Sequence, residues 1–459
     1  MEMITVGEAA CAVGGKLISG DPQTKLTSVC IDSRQVGEGA LFVPIIGEKV
    51  DAHTFIPQVF ESGAAATLTS HGEVLDSGKP HILVENTEKA IGELAAWYMK
   101  KFPIPVVGIT GSVGKTSTKE MIAAALGVTF NVLKTAGNQN SQIGVPLTVF
   151  RIGKEHEMAV IEMGISDFKE MDDLVHFVHP QTAVVTNIGV AHIAQLGTQE
   201  NILSEKLRIA QEFTEANPLF LNASDPLLLK ASKELPYAVL FGVDGSSPYR
   251  GENIRIVDGK TNFTFIYPEG REEVVINQIG MHNVYNAIVA MAIGLHYGIH
   301  PSRSKEGLLA YEGIAMRQQI NHLKDGIKVI DDTYNASPDS IKSGISVLVQ
   351  LDNTGRKLAV LGDVLELGAM SYQCHYDTGK DISTARIDEV ITVGTEMKAL
   401  GQAISDSHSP IKVVSFDNNG QAADYLKGVI SANDAILAKG SRGMHLEEIV
   451  EALKEAYKI

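Results

Sequence analysis

Residues 106–117 read VVGITGSVGKTS, and the order of these parts sets the fold of the middle of the chain. Val106, Val107 and Ile109 make a short apolar strand, while Met121, Ile122, Ala125 and Leu126 recur at helical spacing just downstream. The glycine-spaced turn therefore lies between a strand and a helix N-terminus, where backbone N–H groups and the helix dipole can meet an anion. ATP or GTP is the ligand this arrangement suits. Gly111, Ser112, Gly114, Lys115, Thr116 and Ser117 are the candidate nucleotide contacts.

The fuller Walker pattern carries a glycine five positions before Gly114, and Ile109 stands there instead. The tighter Gly111-Ser112-Val113-Gly114-Lys115-Thr116 keeps the chemistry. Its glycines permit unusual backbone angles and close approach, Lys115 offsets outer phosphate charge, and Thr116 can offer its hydroxyl to magnesium. An ordinary glycine turn capping a helix is the plain alternative, and the strand and helix on either side weigh against it.

A length of 459 residues suggests about three domains of roughly 150 residues, and a hydrophobic fraction of 44% supplies several cores. The net charge of -16, with no long basic run, argues against nucleic acid or an anionic membrane surface as partner. An anionic ligand must then be met by a local site. Cys11, Cys30 and Cys374 fit neither a disulfide framework nor zinc-ligand spacing and suit a reducing cytoplasm. The start, MEMITVGEAA, lacks a basic segment followed by an apolar one, and no run of about eighteen apolar residues occurs. Neither secretion nor membrane insertion is expected.

Lys100-Lys101-Phe102-Pro103-Ile104-Pro105 interrupts a helical pattern (Ile91, Leu94, Ala95, Tyr98) just before the phosphate-loop strand and marks a domain boundary. Apolar runs at 158–163, 183–185 and 219–221 then alternate with helix-like segments, the rhythm of a mostly parallel sheet. Gly242 to Glu273 reads as β-hairpins leading into an alanine-rich helix from Val284 to Leu295. A second alternating series at 329–330, 358–361, 390–393, 413–414 and 435–437 reads as a Rossmann-like domain. The expected fold is α/β throughout, in domains 1–103, 104–313 and 314–459.

Further polar clusters stand near predicted strand ends, the edge at which open α/β sheets bind ligands. Glu162, after the run 158–161, could complete a magnesium shell begun by Thr116, or be a solvated strand-end acid. Thr186 to His192 puts an amide and an imidazole where a substrate or second cation could be met; a lone histidine is also a common surface or core residue. Lys206, in Glu205-Lys206-Leu207-Arg208, has a solvated ion pair as its plain role. Asn138 to Pro146 reads as a polar amide loop suited to a sugar or peptide, or as a turn. Asp331 to Pro338 and Lys439 to Gly443, an acidic and a basic turn in one domain, suggest a ligand with charges of both signs.

Taken together, Gly111 to Thr116, Asn138 to Pro146, Glu162-Met163-Gly164, Gly280-Met281-His282-Asn283 with Asn286-Ala287, Asp331 to Pro338, Leu361-Gly362-Asp363 with Glu366-Leu367-Gly368, and Lys439 to Met444 resemble the Mur ligases, in family order. Asp32-Ser33-Arg34, followed by Gly39, Leu41-Phe42-Val43 and Gly47, is similar to the UDP-sugar domain of the member that adds D-alanyl-D-alanine. The resemblance implies a UDP-sugar-binding N-terminal α/β domain, a central ATP-binding domain and a C-terminal Rossmann-like domain that binds the dipeptide. It implies a cytoplasmic, monomeric ligase that joins UDP-N-acetylmuramoyl-tripeptide to D-alanyl-D-alanine with ATP and magnesium, in peptidoglycan precursor synthesis.

In that reading Lys115, His192 and Lys206 are catalytic, and Thr116, Glu162, His192 and Lys206 hold metal, the last as a carbamate. An ammonium repels magnesium, whereas a carbamate presents anionic oxygens. Asn283, Asn286, Arg317 and Asp332 would meet the nucleotide. Ser33, Arg34, Asn138 and Asn140 would meet the UDP-muramoyl substrate, and Asn335, Ser337, Lys439, Ser441 and Arg442 the dipeptide. Two positions depart from the common family pattern: Arg208 stands where many relatives have an acid, and Met316-Arg317-Gln318-Gln319 replaces a glycine-arginine-methionine sequence. Rival readings are another ATP-dependent amide ligase, such as a folate polyglutamylating enzyme or a different Mur step, and a nucleotide-hydrolysing regulator for which a phosphate loop alone suffices.

Overall fold

Residues 1–74 and 78–458 are described by the structure, a computed structural model. They fall into two units, residues 1–110, 129–184 and 205–219 in the first, and 111–128, 185–204 and 220 onward in the second.

Besides a two-stranded antiparallel ladder of Ile4–Thr5 with Lys25–Leu26, the first unit carries a sheet of five short strands, β1 (Lys16–Ser19), β2 (Ser28–Cys30), β3 (Ala40–Phe42), β4 (Ala66–Thr69) and β5 (His81–Leu83), in the order β1-β5-β4-β3-β2. Within this sheet only β1 runs antiparallel to its neighbour. The helix Thr87–Met99 starts at a capping Asn86 side chain and stops before the expected Pro103/Pro105 boundary. Four strands follow in this unit: β6 (Val106–Thr110), β7 (Val132–Lys134), β8 (Met158–Glu162) and β9 (Thr182–Val185), ordered β9-β6-β8-β7.

Every residue of β6 and β8 is buried, as central parallel strands covered on both faces must be. Their register pairs Glu162 with Ile109, so Glu162 ends its strand level with the last residues before the phosphate loop. The loop expected over 138–146 is shorter than that. Gly144–Val149 is helical, because Pro146 sits in the first turn, where its missing N–H would have had no partner.

The second unit holds β10 (Leu219–Asn222), β11 (Ala238–Gly242), β12 (Tyr249–Val257), β13 (Lys260–Tyr267) and β14 (Gly270–Ile276), neighbours in that order. The last three pair antiparallel, the expected hairpins. Helix α1 (Lys115–Leu126) packs against α2 (Met281–His296).

The C-terminal sheet comprises β15 (Gln319–His322), β16 (Lys328–Asp331), β17 (Lys357–Gly362), β18 (Glu389–Val393), β19 (Lys412–Phe416) and β20 (Ala435–Lys439), ordered β15-β16-β20-β17-β18-β19. Successive residues serve opposite cores: Ile330, Ala359, Leu361 and Val390 join one face with helix α3 (Pro338–Gln350), and Val329, Leu358, Val360 and Ile391 the other. Five strands are parallel. β15 adds an antiparallel edge that its sequence, with one apolar residue in four, does not announce.

Candidate active site

The phosphate loop leaves β6 through Gly111 (φ 146°) and reaches α1 through Gly114 (φ 86°), angles that side-chain-bearing residues rarely adopt. A Cβ at Gly111 would fall 1.9 Å from Thr186 Oγ1. Lys115 Nζ donates to the Gly111 carbonyl at 2.8 Å, and Gly114 starts α1 with no side-chain cap on the helix amides. Thr116 is buried in the first turn, with Ser112 and Ser117 half-buried beside it. Such a cradle fits a phosphate chain. The segment after β9 braces the loop from behind: Asn187, read from sequence as placed to meet a substrate or second cation, accepts the Val113 N–H at 2.9 Å and donates to the Val113 carbonyl at 2.9 Å. His192 follows on the same segment in a left-handed conformation (φ 62°), beginning the short helix Ile193–Leu196.

In the first unit Glu162 is 2% exposed. Its Oε1 accepts from Asn140 Nδ2 at 2.8 Å and its backbone N–H donates to Thr135 Oγ1, whereas Oε2 is buried with no hydrogen-bond partner. An orphaned carboxylate oxygen is what a cation ligand leaves open. Asn140 thus orients Glu162, and its neighbour Asn138 is exposed, accepting the Asn140 N–H on its carbonyl. Lys206 is 1% exposed, which overturns the solvated ion pair. Glu205 is buried as well, accepting the Lys169 N–H. Arg208, at the position of the family acid, turns to Asp172 in a two-point ion pair. Near the N-terminus Arg34 points into solvent and grips Asp32 with two 2.9 Å bonds, which hold that carboxyl well below the usual range; Ser33 is half-buried beside it.

On α2, Asn286 Oδ1 accepts from Thr118 Oγ1 of α1 at 2.8 Å, and Asn283 donates to the Ile279 carbonyl. The preceding His282 is half-buried with Nε2 2.7 Å from Gln318 Oε1; desolvation pushes its pKa down while that bond opposes the shift. Arg317 lies over the Tyr334 ring, 4.2 Å from its centroid.

Three turns leave the same ends of neighbouring strands β16, β20 and β17. The acidic and basic turns, expected to suit a ligand with charges of both signs, touch each other: Lys439 Nζ lies 2.8 Å from Asp332 Oδ2, both buried, and donates to the Asn335 carbonyl at 3.0 Å. Ser337 caps α3, and Ser441 accepts the Leu365 N–H at 2.9 Å, tying the basic turn to Leu361-Gly362-Asp363. The Asp363 carboxylate in turn accepts the N–H groups of Thr395 and Met397. Arg442 stays exposed, 3.2 Å from Glu447 and against Met316. Helix α3 reaches toward the phosphate loop, since a Cβ at Gly189 would meet Asp339 Oδ2 at 2.5 Å and Ser112 Cβ at 3.3 Å.

Asp51, His53 and His71 bring their ligand atoms within 4.8 Å of one another. His53 Nε2 accepts the Ser70 N–H at 3.0 Å, which leaves the ring proton on Nδ1, facing Asp51. Only two donors remain there for a metal, so the cluster is an ion-pairing group. Among the described residues no helix is long and apolar enough to cross a membrane.

A strand, a glycine phosphate loop and a second nucleotide-style sheet carrying charged turns at its strand ends define an ATP-using α/β enzyme of several domains. Family models agree along the chain: the Mur ligase family catalytic domain matches residues 25–99, the Mur ligase middle domain 109–294 and the Mur ligase glutamate ligase domain 316–442. The chain belongs to the Mur ligase family. It is 37% identical to UDP-N-acetylmuramoyl-tripeptide--D-alanyl-D-alanine ligase of Bacillus subtilis, over 95% of this chain and 94% of that one, and 33% identical to the Escherichia coli ligase of the same name over 99% of both. Its structure is similar to MurF from Acinetobacter baumannii (TM-score 0.92, 29% identity, 99% of both chains) and to MurF ligase from Thermotoga maritima in complex with ADP (TM-score 0.84, 27% identity, 94% and 97%).

Proposed function

We infer that this chain adds D-alanyl-D-alanine to UDP-N-acetylmuramoyl-tripeptide with consumption of ATP, a step of peptidoglycan precursor synthesis. The observation that carries the reading is the phosphate loop at Gly111 to Thr116, set in a chain that matches ligases of this name from end to end. We assign residues 1–103 to the UDP-sugar domain, 104–313 to the ATP domain and 314–459 to the dipeptide domain, in a cytoplasmic monomer.

A carboxylate does not exchange its oxygen for an amine at neutral pH, so the acyl group must first be activated. In this reading the tripeptide's terminal carboxylate attacks the γ-phosphorus of ATP and ADP departs, giving an acyl phosphate. The dipeptide's free amine then attacks the acyl carbon, phosphate leaves and the amine proton passes to solvent or base. Lys115 offsets charge on the transferring oxygens, and the amides at the start of α1 hold the phosphates. Exclusion of water protects the acyl phosphate until the amine arrives.

Magnesium, when bound, supplies further positive charge against the phosphoryl oxygens. The orphaned Glu162 oxygen supports its place as a ligand; Thr116, His192 and a carbamylated Lys206 complete the proposed set by motif resemblance. Asn283, Asn286, Arg317 and Asp332 are proposed on the nucleotide side. Ser33, Arg34, Asn138 and Asn140 are proposed on the UDP-muramoyl side, and Asn335, Ser337, Lys439, Ser441 and Arg442 beside the dipeptide. Because Lys439 is buried against Asp332 whereas Arg442 is exposed, Arg442 is the cation we place at the dipeptide carboxylate.

The test measures phosphate release from ATP with UDP-muramoyl-tripeptide present, with and without D-alanyl-D-alanine, and weighs the product by mass spectrometry. Release that requires the dipeptide and a product heavier by its residue mass bear the reading out. Release indifferent to the dipeptide, with no new amide, makes the chain a nucleotide-hydrolysing regulator instead.

A further inference from the structure

We propose that Asn187 is a positioning residue that sets the shape of the phosphate loop and so decides which of its amides face the nucleotide. The proposal rests on the reading of residues 111–117 as the nucleotide phosphate site.

Asn187 contacts the loop with three groups. Its backbone carbonyl accepts the Ser112 N–H at 3.0 Å, its Oδ1 accepts the Val113 N–H at 2.9 Å, and its Nδ2 donates to the Val113 carbonyl at 2.9 Å. The side-chain amide thus grips the N–H and C=O of one residue, as a neighbouring strand would. Thr186 Oγ1 adds a 2.6 Å bond to the same carbonyl, and the Gly189 N–H donates to Ser112 Oγ at 2.9 Å.

Two consequences follow for an incoming phosphate. The Ser112 and Val113 amides, which in a glycine-rich loop could turn to an anion, are already committed to neutral acceptors behind it. Anion binding therefore falls to the uncapped start of α1. These bonds also come from the protein itself, so they help hold the loop's shape without the nucleotide and lower the ordering cost of binding.

The grip is firm because the segment carrying Asn187 is itself anchored. Asn222 Nδ2 donates to the Thr186 carbonyl at 3.2 Å, Asp225 Oδ2 accepts the Ile188 N–H at 2.7 Å, and Gln199 Nε2 donates to the Ile188 carbonyl at 3.1 Å. Asp225 is fixed in turn by capping the helix Pro226–Ala231. Asparagine suits the position because it offers a donor and an acceptor with no charge. Aspartate of the same shape would keep the bond to the Val113 N–H but turn an anionic oxygen on the Val113 carbonyl, beside a site for phosphates.

The test uses Asn187→Ala and the isosteric Asn187→Asp in the full chain, with magnesium-ADP as the probe. Calorimetry gives the dissociation constant, and steady-state rates give KM for ATP, UDP-muramoyl-tripeptide and dipeptide separately. The expected result is a rise of about tenfold or more in the ADP dissociation constant and in KM for ATP, greater for Asn187→Asp. The other two KM values stay within about twofold and the thermal midpoint holds. A general loss of structure would move all of these together. If Asn187→Ala does not fold, the isosteric variant carries the same measurement. A folded Asn187→Asp that binds ADP as the wild type does overturns the assignment to Asn187 alone, whereas a wild-type chain that binds no ADP overturns the phosphate-site reading beneath it.

Discussion

The phosphate loop and the charged turns of the C-terminal sheet both stand where parallel strands end, yet they are held by opposite means. Around the loop the bracing is neutral, from backbone groups and the amide of Asn187, and Lys115 donates to a neutral carbonyl. At the C-terminal turns the bracing is ionic, since Lys439 and Asp332 are buried against each other. The difference teaches that two turns of similar placement can be shaped with and without buried charge. The loop takes its shape from hydrogen bonds between uncharged groups, while the C-terminal turns take theirs from an ion pair.

The sharpest way to break this contrast is Lys115→Ala. If the Lys115 charge serves phosphoryl transfer, amide formation should fall by about 10³-fold or more, the scale of losing a cation from a transferring phosphoryl group. Thermal stability should scarcely move. A variant forming product at a rate near wild type would remove the loop from the chemistry.

Lys206 sharpens the same side of the contrast, because its cation is buried rather than poised at a loop. A carbamate would convert it into an anionic oxygen ligand for magnesium. Lys206→Ala should therefore lose about 10²-fold in rate, on the scale of removing one electrostatic stabiliser, and regain much of it with added short carboxylates such as acetate. Mass spectrometry under native conditions with bicarbonate would detect the carbamate directly. Failed rescue and an unmodified lysine would end the carbamate idea and leave the phosphate loop standing.

On the ionic side, the expected effect is on stability. Asp332→Asn leaves Lys439 buried beside a neutral amide, and loss of one partner of a buried pair costs about 3–5 kcal/mol. Asp332→Asn combined with Lys439→Met removes both charges and should recover most of that in denaturant unfolding. A single variant as stable as wild type would show that the pair is not structural and return Asp332 to the nucleotide and Lys439 to the dipeptide.

This contrast also marks what the sequence could express. Strands β6, β8 and β16 to β20 were legible because each is a short apolar run, and the phosphate loop because only glycine tolerates its backbone at 111 and 114. The fate of the charges was not. Asn187 and Val113 lie 74 positions apart, and Lys439 and Asn335 104 apart; no local pattern announces which amide will clamp a loop or which cation will be consumed by an acid. Lys206 looked solvated because Glu205 and Arg208 flank it, yet Arg208 turns to Asp172 and the lysine is buried. Spacing records which face a residue takes along its own helix or strand, and partners across the fold lie beyond it.

The smallest expected effect lies at His282, a half-buried titratable group that meets Gln318. Burial lowers its folded-state pKa below the ordinary value of 6.5, against the Gln318 bond and the Asp332 charge, with Lys439 adding to the fall. At a pH between that lowered value and 6.5 the unfolded chain binds the proton more readily than the folded one, so stability rises with pH through the window. The contribution is fully present above about pH 6.5 and is lost as the pH falls through the folded pKa. Urea unfolding followed from pH 7.5 down to 5 should therefore show a decline that is shallower in His282→Gln, which cannot take up the proton. Equal slopes in the two proteins would mean that His282 does not contribute to the decline.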